Sequence, residues 1–288
     1  HCPTPDTCGR PRHGLEPLPV RPSAGYCRTC GHILEGTDAP QLLGRWEGRL
    51  SPVQSEGGLW GLLVGDAVGV PYEFHPPTSL PASPQIDLHP PHDFPRAHPL
   101  VPPGTWSDDG AQALVLLDTL VTHGEVNLAH FGNGLRRWLD EGHFAVGRSV
   151  FDVGIQTQTA IRRLRARMPP DQTGPSGERD NGNGALMRVF PLLMVPWSSS
   201  AALIDAAIAQ SRPTHGHARS FVACAFYCLW VEAIARHGVN DAWSAAEDAL
   251  RMHAPATGLP ADEVDLVLHP EWRARAGGSG SAPGPMMR

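Results

Sequence analysis

Lysine is absent. All 23 basic residues are arginine, against 29 acidic ones in a chain of 288. Together with abundant Ala, Gly and Pro, that reflects the codon usage of a GC-rich genome rather than a binding surface. The net charge of −6 removes the electrostatic case for a nucleic-acid or acidic-membrane partner. No charge-free run of roughly 18 apolar residues exists, so no membrane span is expected. The first residues, HCPTPDTCGRPRHG, hold no apolar stretch of the signal-peptide kind and begin with His, so the natural start is expected upstream. No period-two alternation marks a β-strand, and no segment repeats.

What is present points to helices around a packed core. The length allows one large domain or two smaller ones. Hydrophobic residues make up 41% and charged ones 18%, while the 31 Gly and 30 Pro gather outside the apolar stretches. GGLWGLLVGDAVG (57–69) is small and apolar, suited to close helix packing. DDGAQALVLLDTLVTHG repeats its apolar positions near 3.6 residues, at Ala113, Leu114, Leu117, Leu120 and Val121. Asn127 caps a further helix through Asp140, and another lies within 148–168. HARSFVACAFYCLWVEAIARHG (217–238) is apolar nearly all round, as a central buried helix must be. Residues 241–253 form one more amphipathic helix. Residues 76–103, dense in Pro and His, form a long loop, and so long a loop in a compact domain is functional or mobile. The fold class is therefore all-α: a compact multi-helix domain over 55–275, preceded by a Cys-rich segment over 1–50 and followed by a disordered tail, 276–288.

One stretch carries chemistry. TWSDDGAQAL sets Asp108 and Asp109 side by side at a helix start. A helix N-terminus accepts one acid readily, and Ser107 is an ordinary cap. Two adjacent carboxylates repel unless a cation, proton or donor lies between them. Ser107, Asp108 and Asp109 are hard oxygen ligands, which suit Mg²⁺, Mn²⁺ or Ca²⁺ better than zinc. Three further stretches accompany them. GLLVGDAVGVPYEF carries Asp66 and Glu73, DNGNGALMRVFPL is a Gly/Asn turn feeding an apolar helix, and SRPTHGHARSF places His215 and His217 at a helix start. A Gly/Asn loop before a helix offers backbone N–H groups, aided by the helix dipole, to a pyrophosphate.

In order and spacing these four stretches resemble the ADP-ribosylglycohydrolase family, the DraG and crystallin J1 relatives, over roughly residues 55–275. The resemblance implies a compact all-α fold with two Mg²⁺ or Mn²⁺ ions. It also implies hydrolysis of the bond joining ADP-ribose to a protein side chain or small acceptor. By similarity Ser107, Asp108 and Asp109 are metal ligands, and Glu73 is an acid near the metals. Gly182, Asn183, Gly184 and Ala185 form the loop that cradles ADP-ribose, and His215 lines the same pocket. Asp109 and Glu73 are both candidates for the general base. Asp66 reads as a hydrogen-bonding cap beside the site. The family often has Thr where this chain has Ser107 and Gly110. The alternative to an enzyme is a non-catalytic ADP-ribose binder, or a structural relative of the crystallin J1 kind.

The chain departs from the family at its end. A late segment with two aspartates two apart and a following Thr supplies the second half of the family's metal site. Asp262 and Asp265 stand three apart, with no Gly before or Thr after. The expectation is a catalytic domain clipped by truncation or frameshift, which folds poorly, binds metal weakly and is inactive.

Four of the six cysteines sit in the first thirty residues: Cys2, Cys8, Cys27 and Cys30. Cys27 and Cys30, in YCRTCG, form half of a zinc ribbon, with Cys2 and Cys8 as a looser second half and His13 or His32 as substitutes. Such a ribbon, with this acidic balance, favours a protein partner. Lacking an export signal, the cysteines suit a reducing cytoplasm and Zn²⁺ rather than disulfides. Cys224 and Cys228, in the apolar helix, read as buried thiols.

Overall fold

The computed structural model describes residues 49–269. The expected zinc ligands Cys2, Cys8, Cys27 and Cys30, and the tail 276–288, lie outside that range. Eight α-helices run through it: α1 Pro52–Gly69, α2 Asp108–His123, α3 Leu128–Glu141, α4 Ile155–Arg165, α5 Ser200–Ser211, α6 Ala218–His237, α7 Val239–Thr257 and α8 Ala261–Val267. No strand occurs among the described residues, so the all-α expectation holds.

Local chemistry sets the helix ends. Ser51 and Gln54 form a reciprocal capping box at α1, which opens on Pro52. Asn127 accepts from His130 N at the start of α3, as its sequence announces. Gly124 and Gly142 end α2 and α3 in left-handed conformations.

Two stacks meet around one core. Helices α1, α2, α3 and α4 pack in succession, and α6 lies against α5, α7 and α8. Leu116, Phe131, Leu135, Trp138 and Ile161 close the first stack, while Leu203, Ile204, Val222 and Leu250 close the second, all essentially without solvent contact. Each such side chain contributes roughly 1.5–3 kcal/mol. Helix α6 is long and apolar enough to cross a membrane by composition. Here it is packed inside the domain, with Val222, Cys224, Ala225 and Cys228 fully buried. Cys224 and Cys228 are unpaired, and burial pushes the Cys224 thiol up to about 12. Both are unreactive core residues, as read from sequence.

One local expectation is met over a shorter span and one fails. The helix within 148–168 is confined to Ile155–Arg165, after a loop with left-handed backbone at Arg148 and Asp152. No α-helix follows the DNGNG turn. Leu186 N and Met187 N fold back onto Asn183 O, and only a five-residue 3₁₀ segment, Phe190–Met194, follows. Pro191 lacks the N–H that a continuing helix would use.

The Pro-rich segment after α1 is pinned to the body. Tyr72 Oη donates to Asp87 O at 3.0 Å and accepts from Asp87 N at 3.1 Å. Phe94 packs on Tyr72 and His75.

Candidate active site

The start of α2 is capped from outside its own sequence. Asp66, near the end of α1, accepts from Ser107 N, from Ser107 Oγ at 2.8 Å and from Gly110 N at 2.7 Å. Ser107 makes no cap bond to its own helix. Gly110 makes this approach feasible: a Cβ there would lie 2.9 Å from Leu63 and 3.0 Å from both Asp66 Oδ2 and Trp106 Cβ. The missing hydroxyl at 110 thus has a steric reason.

With its proton given to Asp66, the Ser107 oxygen keeps its lone pairs. They stand 3.5 Å from Asp108 Oδ1 and 3.4 Å from Asp109 Oδ2. Burial pushes the Asp108 carboxyl up to about 8, and repulsion from Asp109 adds to it. Burial, then repulsion from Asp66, takes Asp109 up to about 6. Asp66 is raised too, chiefly by burial, although three donors hold it. Glu73 is raised by burial more than its hydrogen bond from His98 lowers it. Asp152 adds repulsion to each of these four carboxyls.

All of these carboxyls but Asp66 open onto a cavity of about 650 Å³, and Ser107 lies behind its wall; the size suits a nucleotide-scale ligand. Glu73, Asp108, Asp109 and Asp152 line one part of it; Gly182, Asn183, Gly184 and His215 line another. Ala185 does not line it. It is fully buried beneath the loop, where its carbonyl accepts from Gln210 Nε2 at 3.1 Å. The turn is held by Gly182 N donating to Gln156 Oε1 at 3.0 Å, and Gln156 Nε2 is buried without a partner among the described residues. Any anion held by this loop meets single N–H groups, because no helix dipole stands behind them. His217 caps α6 through Nδ1, accepting from Arg219 N, and so plays the structural part.

His215 is neutral: burial and Arg188 push it down to about 3. Its Nδ1 meets Thr214 Oγ1 at 2.9 Å, and Thr214 Oγ1 accepts from Arg188 Nη2 at 2.7 Å. Nδ1 is the acceptor within reach of the Thr214 hydroxyl proton among these contacts, and a bond in that direction would place the ring proton on Nε2. Arg188 also donates to Gln112 Oε1 at 2.7 Å, and Gln112 Nε2 donates to Asp108 Oδ2 at 3.4 Å. One buried cation thus orients both the acid and the histidine of the cavity.

The loop glycines lie against that histidine. A Cβ on Gly184 would stand 2.7 Å from His215 Cε1. His215 is buried and held at its other side, so it cannot retreat. Gly184→Ala is expected to weaken any ligand held between the turn and His215 at least ~10-fold, since one or two kcal/mol of displaced contacts suffices. Calorimetric titration against an unchanged melting temperature checks it.

Sequence reasoning missed Asp152, Gln156 and Arg188. Asp152 and Gln156 precede or open α4 in FDVGIQTQTA, where an acid and an amide beside glycine were the available signal. Asp262 and Asp265 are not drawn to the cavity; Asp262 is exposed, and Asp265 pairs with Arg251 at 2.6 Å.

Comparison with known proteins gives the chain a family. The ADP-ribosylglycohydrolase family profile matches residues 54–283. An ADP-ribosylarginine hydrolase of Pseudomonas putida (strain GB-1) is 31% identical over 176 residues, 59% of this chain and 44% of that protein. An ADP-ribosyl-dinitrogen reductase glycohydrolase of Rhodospirillum rubrum is 32% identical over 169 residues, 58% of this chain and 53% of that one. A second ADP-ribosylarginine hydrolase, from Serratia proteamaculans (strain 568), is 27% identical over 60% of this chain and 45% of its own. The chain spans about half the length of these curated relatives. With the aspartate pair, the glycine turn and the buried histidine facing one cavity, the chain belongs to the ADP-ribosylglycohydrolase family.

Proposed function

We propose that this domain hydrolyses the glycosidic bond between ADP-ribose and a protein side chain, with arginine the first side chain to try. The observation that carries this reading is the buried, mutually repelling carboxylate group set against a glycine turn across one nucleotide-sized cavity.

The residues present fit a hard divalent ion. Asp108 and Asp109 are acid-only neighbours held out of water, and the Ser107 oxygen beside them has unshared pairs. Ser107, Asp108 and Asp109 would hold Mg²⁺ or Mn²⁺, which supplies charge neutralisation and a handle for ribose hydroxyls. The rest follows from side chains. His215, protonated on Nε2, and the free Gln156 amide donate to ligand oxygens beside the glycine turn. Water adds to the anomeric carbon as the bond to the side-chain nitrogen breaks. Its proton passes to Asp109 or Glu73, and the same carboxyl then gives it to the departing nitrogen. Both carboxyls are raised towards neutrality, which suits a base that must accept and release a proton. The surrounding anions stabilise the cationic sugar carbon as it forms.

The test is release of free ADP-ribose from an ADP-ribosylarginine peptide with Mg²⁺ or Mn²⁺ added. Ion-dependent release supports the reading; neither release nor ADP-ribose binding refutes it. Binding without release selects the second reading, a non-catalytic ADP-ribose binder. One observation favours that second reading: Asp262 and Asp265 stand apart from the cavity, so the described residues bring one acidic pair to it from α2 and none from the late helices.

A further inference from the structure

Two groups of His, Asp and Glu among the described residues place three ligand atoms within 4.8 Å of one another. The first, Glu178, His217 and Glu263, already holds a cation. Arg219 donates to Glu263 at 2.9 Å and to Glu178 at 3.3 Å. The second is Glu73, His98 and Asp152, with no arginine ion-paired to any of them among the described residues. Its members come from three separate segments: the end of the α1 turn, the Pro-rich loop and the approach to α4. His98 Nε2 meets Glu73 Oε2 at 2.8 Å. The His98 ring is fixed between Phe74 and Phe151, at 5.8 and 5.1 Å between ring centres.

We propose that Glu73, His98 and Asp152 form a separate site for a borderline divalent ion of the zinc type at the cavity rim. The donor set separates it from Ser107, Asp108 and Asp109, which offer oxygen alone. An imidazole nitrogen with two carboxylates suits Zn²⁺ or Co²⁺ and is a poor match for Mg²⁺. Bond lengths near 2.0–2.1 Å put ligand atoms about 3.3 Å apart on one tetrahedral zinc. His98 Nε2 and Glu73 Oε2, at 2.8 Å, stand about half an ångström inside that spacing, and all three ligand atoms lie within 4.8 Å of one another. Three protein ligands leave a fourth position for water, and the half-buried rim gives the ion a path in. An ion there engages the Glu73 carboxylate, so it inhibits hydrolysis. That consequence rests on the proposed function; the binding does not.

The experiment titrates the full chain with Co²⁺ in excess Mg²⁺ and follows the visible d–d absorbance and its displacement by Zn²⁺. Wild type is compared with His98→Phe, which keeps a ring between Phe74 and Phe151, with Asp152→Asn and with Asp108→Asn. Cobalt held by Cys2, Cys8, Cys27 or Cys30 is common to all four proteins and cancels in the differences. Losing an outer partner of a metal ligand costs ~10–100-fold in affinity, so losing the ligand itself costs at least ~10-fold. His98→Phe and Asp152→Asn are expected to show that loss with melting temperatures near wild type, and Asp108→Asn to stay within about twofold. Equal cobalt binding by wild type and His98→Phe overturns the proposal, as does loss confined to Asp108→Asn. If no protein hydrolyses ADP-ribosylarginine, the function fails while the cobalt difference still decides the site. If hydrolysis occurs, micromolar zinc inhibits wild type and spares His98→Phe.

Discussion

Asp108→Asn is expected to raise the melting temperature of the ion-free protein at pH 8 and to erase its response to Mg²⁺ or Mn²⁺. Asp108 is only 6% exposed, and its carboxyl is pushed up to about 8, with Asp109 at about 6. For an acid, a folded pKa above the ordinary 3.8 means that folding disfavours the charged form. The stability these groups contribute is full below pH 4 and is lost as pH rises through 6 and then 8. Ion-free wild type is therefore least stable at pH 8 and above. Asparagine stays neutral, and its carbonyl oxygen can still accept from Gln112. One pKa unit is worth about 1.4 kcal/mol, and 1 kcal/mol moves the melting temperature of a domain this size by about 2–4 °C. A gain of ~4 °C or more at pH 8, shrinking towards pH 5, is the expected outcome by scanning calorimetry. Divalent ions stabilise wild type by binding the folded charged form, and that increment grows with pH and is absent from the variant. If the proposed hydrolysis holds, release of ADP-ribose should fall at least ~10-fold, since even an outer partner of a metal ligand is worth ~10–100-fold in affinity or activity. A variant less stable than wild type at every pH, still stabilised by Mn²⁺, would falsify this account of the pair.

The same pair shows how far sequence alone reaches. Adjacent acids after a serine announce a repulsion that something must relieve, since it is a property of the residues themselves, and the structure shows both carboxyls buried and raised. Helices α2 and α3 are legible because their apolar positions recur near 3.6 and Asn127 is an unambiguous cap. Asp66 is legible as a hydrogen-bonding acid, but it sits inside α1 and no local spacing says that the helix start it caps lies 41 residues on. Helix α5 is not, because SAALIDAAIAQS is small and apolar on every side and shows little contrast between faces. The stretch after DNGNG misleads for a related reason. ALMRVFPLLM is apolar enough for a helix, yet Pro191 and the folding back onto Asn183 O make it a turn and a 3₁₀ segment. Asp152 and His98 reach the cavity only through tertiary packing of two loops, and no local spacing encodes that. Arg188 stays hidden because arginine is ordinarily solvated. Nothing in its sequence neighbours says that Gln112, Gln210 and Thr214 converge on it.

Arg188→Met should be the most damaging single change in the domain. The guanidinium is fully buried; Nε donates to Gln210 Oε1 at 3.0 Å, Nη1 to Gln112 Oε1, and Nη2 to Gln210 O at 2.8 Å and Thr214 Oγ1. Its central carbon lies 5.0 Å from the Phe131 ring centre. Burial lowers its pKa only to about 10, so it remains a cation at neutral pH. Methionine fills much of the volume but leaves these acceptors in an apolar interior. Each such orphan costs about 1–3 kcal/mol, so a loss of roughly 3–6 kcal/mol is expected from urea unfolding. That is a large part of the 5–15 kcal/mol available to a domain. Arg188→Lys separates charge from geometry. Lysine keeps the cation but presents a compact ammonium, which cannot span Gln112, Gln210 and Thr214 in one plane. It should fold with a smaller loss. With the Thr214 hydroxyl released from its donor, the His215 ring proton is then free to move to Nδ1, which nitrogen-15 spectra of the histidine report. Unchanged His215 spectra together with wild-type ADP-ribose affinity in Arg188→Lys would show that Arg188 only fills the core. A shifted tautomer with weakened binding would show that the cation beneath the cavity sets which nitrogen of His215 faces the ligand, so the core and the site are coupled through one residue.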